Sequence, residues 1–152
     1  MENKSLIGIG HVHLKVSDLD KAKEFYTKLL GFKISEAVNG YIFLTLGRMH
    51  HDLALQHVRN AKKPAPDTIG LYHFAIEAKS LKELAKLYFK LNKNNIEAHA
   101  IDHGISKTVY FGDPDGNGIE VYIDTRKERK KWQGESMIIT QQQLKQWAKS
   151  NK

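Results

Sequence analysis

Eight histidines and no cysteine stand in this 152-residue chain. Any metal chemistry must therefore use imidazole and carboxylate; a Cys zinc site, an iron–sulfur cluster, a disulfide scaffold and a cysteine nucleophile are excluded. Three places draw attention. His11 and His13 alternate with Val12, Leu14 and Val16, so the two imidazoles share the polar face of a strand. His73 stands at the matching place of a second such strand, ahead of Phe74, Ile76 and Ala78. Glu120 interrupts the apolar alternation of Ile119, Val121 and Ile123, and a carboxylate in mid-strand is costly unless paired or bound to a cation. Two histidines and one carboxylate, with positions left open, form the donor set of non-haem Fe(II) centres. Hydrogen-bonded core histidines and a solvated glutamate are the plainer alternative.

The elements that must carry these residues are written twice. IGHVHLKV runs into SDLDKAKEFYTKLLGF, and GLYHFAIEA runs into KSLKELAKLYFKLNKNNIE. Each is an alternating strand followed by an amphipathic helix. The first helix turns Leu19, Ala22, Phe25, Tyr26, Leu29 and Leu30 inward and stops at Gly31. The second is capped by Ser80 with Glu83 three residues on, and buries Leu81, Leu84, Leu87, Tyr88 and Leu91. Three short strands are expected after each helix, at about 32–37, 41–47 and 51–58, then about 96–101, 107–112 and 118–123. Two βαβββ modules result, 6–58 and 70–124, joined by a polar linker 59–69 with Pro64 and Pro66. One module is too small to bury both faces of its sheet, so the two are expected to pair within a domain 1–132. The remainder, 133–152, reads as a polar tail with a short helix Gln141–Lys149 capped by Thr140 and anchored by Leu144 and Trp147.

The formal charge of +7 raises the question of nucleic acid. The lysines are spread through the helices, the one dense basic run is Arg126–Lys131, and no nucleic-acid-binding motif is present. A solvated basic surface is expected, with no nucleic-acid partner. No apolar run approaches a membrane span and the start lacks a secretory apolar stretch, so a cytoplasmic protein without a membrane partner is expected.

The paired modules, G-H-V-x-L-x-V-x-D-L at Gly10–Leu19, F-Y-x-x-L-L-G-F at Phe25–Phe32 and D-P-D-G-N-G-I-E at Asp113–Glu120 resemble the vicinal oxygen chelate superfamily. That superfamily includes glyoxalase I, fosfomycin and bleomycin resistance proteins, and type I extradiol dioxygenases. The resemblance covers residues 6 to about 132 and implies an α+β fold, its two modules forming a cupped eight-stranded mixed sheet around a metal site. The implied ligands are His11, His73 and Glu120.

Within the superfamily, the chain looks most like the enzymes similar to catechol 2,3-dioxygenase. Their His-Asp pair opening the last strand of the first module is matched by His51-Asp52, their H-G-I segment by His103-Gly104-Ile105, and their Tyr ten residues before the glutamate by Tyr110. The resemblance implies a catecholic aromatic substrate, O2 and Fe(II), with Mn(II), Zn(II) or Ni(II) as alternative metals. It assigns His51 to bound oxygen, His103 to hydrogen bonding or proton transfer at the substrate, and Tyr110 to the substrate hydroxyl. Taken singly, each is equally well a surface His, a loop His or a core Tyr; their joint occurrence carries the weight.

Two alternatives stay open. A glyoxalase I-type lyase or isomerase needs a glutamate where this chain has Gln56, a poor base. A non-catalytic drug- or ligand-binding protein of the bleomycin-resistance type would not need all three ligands. In an unbroken strand His51 and Gln56 face opposite ways, so only one is expected to point into the site, and His51 is the expected one. Extradiol enzymes have a further pair of modules ahead of the catalytic pair. Only one pair is written here, and a homodimer covering a sheet edge is expected.

Overall fold

The computed structural model describes residues 5–63, 65 and 67–150; Pro64 and Pro66 of the linker and the last two residues of the tail lie outside that set. Two compact units emerge, one ending at Lys62 and the other starting at Lys63. Each is organised around its own mixed sheet.

In the first unit β1 (Val12–Val16) leads into α1 (Leu19–Glu24), followed by β2 (Lys33–Val38), β3 (Tyr41–Thr45) and β4 (Leu53–His57). The sheet order is β1-β4-β3-β2, with β1 parallel to β4 and the other pairs antiparallel. The helix makes the crossover that a parallel pair requires. Asp18 caps α1, its carboxylate accepting from the backbone N–H of Asp20 and Lys21 at 3.0 Å each. Beyond Glu24 the helix widens into a π-helical turn, Phe25–Leu29, where the sequence suggested one continuous α-helix. Both neighbours Phe25 and Tyr26 are buried there, their rings edge to face at 5.1 Å. Gly31, at φ +81°, ends the helix as expected. Leu14 and Val16 pack under the helix with Ala22, Leu44, Leu53 and Leu55.

The second unit repeats this plan. β5 (Phe74–Glu77), α2 (Leu81–Lys93), β6 (Ala98–Asp102), β7 (Ser106–Gly112) and β8 (Gly118–Asp124) form a sheet ordered β5-β8-β7-β6, again with the first strand parallel to the last. Ser80 caps α2 through the N–H of Glu83, and Leu84, Ala85 and Leu91 are buried against Ala100, Val109, Phe111, Ile119 and Val121. The α+β class and the doubled βαβββ plan follow the sequence pattern, with strand ends shifted by one or two residues. The strand count differs: hydrogen bonding divides the strands into a sheet of four and a sheet of five. The ninth strand, β9 (Met137–Ile138), comes from the segment expected to be a polar tail and pairs antiparallel with β6. It satisfies the β6 edge, and it delivers Ile139 into the core, where its N–H donates to Ala100 O at 2.9 Å.

The helix α3 (Gln141–Lys149) has the expected bounds. Thr140 and Gln143 form a reciprocal capping box, and Leu144 is fully buried where α3 packs on α2. Leu144→Ala is expected to destabilise the protein by about 2–5 kcal/mol, the range for emptying a buried leucine site. Urea denaturation followed by circular dichroism measures it; a loss below about 0.5 kcal/mol, the level of a surface substitution, would mean that α3 is an appendage.

Candidate metal centre and its hydrogen-bond chain

The second unit gathers four of the six sequence-predicted site residues. β5 and β8 run parallel with Ala75 opposite Glu120; β7 pairs with β8 so that Tyr110 faces Glu120, and with β6 so that His99 faces Tyr110. Directly paired residues share a face. Glu120 therefore lies in a row with Tyr110 and His99, on the face away from α2, and His73 enters that face from just before β5.

Glu120, Tyr110 and His103 are joined in one chain of hydrogen bonds, and His73 stands within ion-pair distance of its carboxylate end. His73 Nε2 lies 3.0 Å from Glu120 Oε2. Tyr110 donates its hydroxyl proton to Glu120 Oε1 at 3.1 Å. His103 Nε2 lies 3.0 Å from the Tyr110 hydroxyl. The side chains of His73 and Glu120 are 28% and 14% exposed, so neither is a solvated surface group. Glu120 accepts one hydrogen bond, from Tyr110 at Oε1, and has lone pairs to spare. Among the described residues, the buried His73 Nδ1 meets no hydrogen-bond partner, which marks a site whose polar groups those residues do not all satisfy.

That donor set fits a cation. Two ligand atoms bound at about 2.1 Å and at right angles on one ion stand about 3.0 Å apart, and the Nε2–Oε2 separation has that length. Among the described residues no group of three or more His, Asp or Glu side chains is arranged to hold a metal ion. Beside the pair opens a cleft of about 410 Å³ lined by Tyr72, His73, His99 and Tyr110 among others.

Burial pushes the Tyr110 phenol above its ordinary range; the Thr108 hydroxyl works against that shift and the Glu120 charge adds to it. Tyr110 is thus a phenol at neutral pH, a donor rather than a tyrosinate.

The first unit holds the remaining two predicted residues, close to each other. The His11 and His51 rings are 4.4 Å apart, and His51 stands edge-on to Phe43 at 5.0 Å. His51 is held below the ordinary histidine range, first by desolvation and then by the neighbouring His11 and His50. It is consequently neutral at neutral pH and able to accept a hydrogen bond. His13 lies against Tyr41 instead, at 6.0 Å.

The expectation that His51 and Gln56 face opposite ways is corrected here. β4 begins only at Leu53, after a bend at Asp52. Asp52 turns the chain by accepting from Leu46 N–H at 2.7 Å and from the Thr45 hydroxyl at 3.1 Å. Strand parity therefore does not extend back to His51. Gln56 pairs with Lys15 and Tyr41, and Phe43 pairs with Ala54, so Gln56 belongs to the same face as the ring that His51 stands against.

Two supporting features escaped the sequence reading. Asp113, at the head of the D-P-D-G-N turn, is buried and accepts from the N–H groups of Asp115 and Asn117 and from the Asn117 amide at 2.8–2.9 Å. This closed loop sets where β8 starts. A Cβ on Gly118, the first residue of β8, would stand 2.1 Å from Tyr72 O and 3.1 Å from His73 Cβ. Only glycine lets β8 pass so close to the His73 backbone; a glycine opening a strand is the signal that would have flagged it. Gly118→Ala is expected to displace His73 from Glu120 and to weaken divalent-cation binding about 10-fold or more, as disturbed ligand support does. Gly112→Ala, whose Cβ would meet nothing nearer than 3.7 Å, is expected to leave binding unchanged. Calorimetric titration with Mn(II) compares the two, and equal affinities would refute this role of Gly118.

Known proteins share this sequence pattern and fold. The family model of the Glyoxalase/Bleomycin resistance protein/Dioxygenase superfamily matches residues 8–121. A catechol-2,3-dioxygenase of Bacillus subtilis (strain 168) is 34% identical over 126 residues, which cover 82% of this chain and 44% of that protein. The chain thus spans less than half the length of that relative. The metallothiol transferase FosB of Staphylococcus saprophyticus is 32% identical over 126 residues, covering 80% of each. Among solved structures, a glyoxylase/bleomycin resistance protein/dioxygenase domain from Frankia sp. EAN1pec shares the fold at a TM-score of 0.69 and 23% identity, over 79% of this chain and 99% of that one. With its doubled βαβββ plan and its D-P-D-G-N turn leading to Glu120, the chain belongs to the glyoxalase/bleomycin resistance protein/dioxygenase superfamily.

Proposed function

We propose that the protein is an extradiol ring-cleaving dioxygenase acting with Fe(II) and O2 on a catecholic substrate. The observation that carries this reading is the chain His103–Tyr110–Glu120–His73, which links a carboxylate and an imidazole suited to a cation with a phenol and a second imidazole suited to proton transfer. The proposed ligands are His73 and Glu120 together with His11 of the first unit, the last chosen from the sequence repeat and the family resemblance. Iron held there would supply Lewis acidity toward the catechol hydroxyls and the one-electron chemistry that O2 requires. Mn(II) is the first alternative metal.

The protein's own part is binding, orientation and proton handling. Tyr110, a phenol at neutral pH, fixes the Glu120 carboxylate and presents its oxygen toward a substrate hydroxyl. A catechol exchanges protons as it binds and reacts, and His103, one hydrogen bond behind Tyr110, is placed as the donor on the protein's side of those transfers. His51, neutral beside His11 and Phe43, is a polar neighbour for oxygen in a half-apolar setting. The cleft beside His73 and Tyr110 is walled by the exposed ring of Tyr72, aromatic surface suited to a flat ring.

The FosB relative, whose length the chain nearly fills, supports a second reading as a metal-dependent thiol transferase. The two readings part on O2. Anaerobic Fe(II) loading followed by O2 uptake with a panel of catechols is expected to show turnover in the wild type and none above background for His73→Ala or Glu120→Ala. Tyr110→Phe and His103→Ala are expected to retain metal and to lose about 100-fold in kcat, the scale of general acid–base catalysis. A loaded wild type that takes up no O2 with any catechol sinks the dioxygenase reading. Consumption of a thiol substrate without O2 uptake would select the transferase, and methylglyoxal–glutathione turnover the glyoxalase type.

A further inference from the structure

Beyond the proposed catalytic groups, the hydrogen-bond chain has one more member. His103 Nδ1 lies 2.8 Å from the hydroxyl of Ser136. Ser136 lies outside the residues 8–121 that match the superfamily, in the segment that reads as a polar tail. Its position follows from strand register. β9 pairs with β6 as Ile101 with Ile138 and Asp102 with Met137, so the next step along the ladder sets His103 opposite Ser136.

The segment between β8 and β9 is fastened around the same turn. Thr125 donates its hydroxyl proton to Gly104 O at 2.8 Å. The Arg129 side chain covers Gly104 so closely that a Cβ there would stand 2.7 Å from Nη1. Arg129 bonds Glu135 Oε2 at 3.0 Å, and the Trp132 indole donates to Glu135 O at 2.9 Å. Gly104 itself has φ +75°, a conformation that leaves the turn no side chain of its own to hold His103.

Proton bookkeeping gives Ser136 a direction. The Glu120 carboxylate only accepts, so Tyr110 spends its single proton on it. The Tyr110 oxygen must then accept from His103, which places a proton on Nε2. A neutral imidazole with its proton on Nε2 has a lone pair on Nδ1, and the Ser136 hydroxyl is the group that donates to it.

We propose that Ser136 is a positioning residue for the reaction: it holds His103 in the Nε2–H tautomer and aims that proton at Tyr110. The consequence for turnover rests on the dioxygenase reading; the consequence for the imidazole does not. The test therefore has two arms, each on the full chain. In the first, ring-nitrogen NMR of histidine-labelled protein before metal is added, with His103→Asn to assign the signals, reports where the His103 proton sits. The wild type is expected to show the proton on Nε2, Ser136→Ala a mixture of both tautomers, and Ser136→Thr, which keeps the hydroxyl, the wild-type pattern. In the second arm, Ser136→Ala is expected to lower kcat for catechol about 3- to 10-fold, the worth of one neutral hydrogen bond, with KM changed less than about 2-fold, and Ser136→Thr is expected to restore it. His103 signals that are the same in Ser136→Ala and wild type overturn the proposal. So does a kcat that Ser136→Ala leaves unchanged in an active enzyme. If the wild type takes up no O2 at all, the dioxygenase reading fails and the ring signals alone decide the role of Ser136.

Discussion

A single carboxylate in the middle of a strand sets the terms for the second unit. Glu120 is flanked by Ile119 and Val121, which serve the core, and it is largely shielded from solvent on the opposite face. Burying a carboxylate is tolerable only when its oxygens are engaged. Tyr110 engages one oxygen and His73 the other. Each of those partners depends on a distinct device: the β7–β8 register that sets Tyr110 opposite Glu120, and the bare backbone of Gly118 that lets the His73 segment come within reach. The Asp113 loop, by starting β8 at Gly118, keeps both devices in step.

The same sheet plan serves both units, and it explains why chemistry collects on one face. A first strand parallel to the last requires a crossover helix, and that helix occupies one side of the sheet. Apolar residues of every strand are committed to it. The side away from the helix is left for residues of the other parity, and there His13, His99, Glu120 and Tyr110 are found. In the second unit the helix side is reinforced by α3 and Ile139, so its polar face is backed by a thicker core than the first unit's. That support extends to the site itself, because the strand β9 that precedes α3 runs beside His103.

Much of this was legible from residue order. Strand and helix patterns are local: alternation at Val12–Val16 and Ile119–Ile123 and the caps Ser80 and Thr140 all act within a few residues, and all appear where the pattern puts them. The repeat also matched His73 to the first strand's histidines. What resisted reading were departures from regular period. The π-helical turn at Phe25 breaks the 3.6-residue count, and the bend at Asp52 breaks the two-residue count, which is why His51 and Gln56 were expected on opposite faces. Met137-Ile138 is too short for periodicity to register at all; only the open edge of β6 makes it a strand.

The sequence by itself determined the donor chemistry. Histidines without cysteine, one carboxylate in mid-strand, and a Tyr ten residues ahead of it limit what the protein can bind, because side-chain type is independent of fold. The tertiary structure decided which of those groups share protons. That Tyr110 donates to Glu120, that His103 stands behind Tyr110, and that Ser136 stands behind His103 are consequences of strand register across β8, β7, β6 and β9. Register joins residues 7 to 33 positions apart, and hydrogen bonding at 3 Å distances is decided by that pairing and not by spacing along the chain.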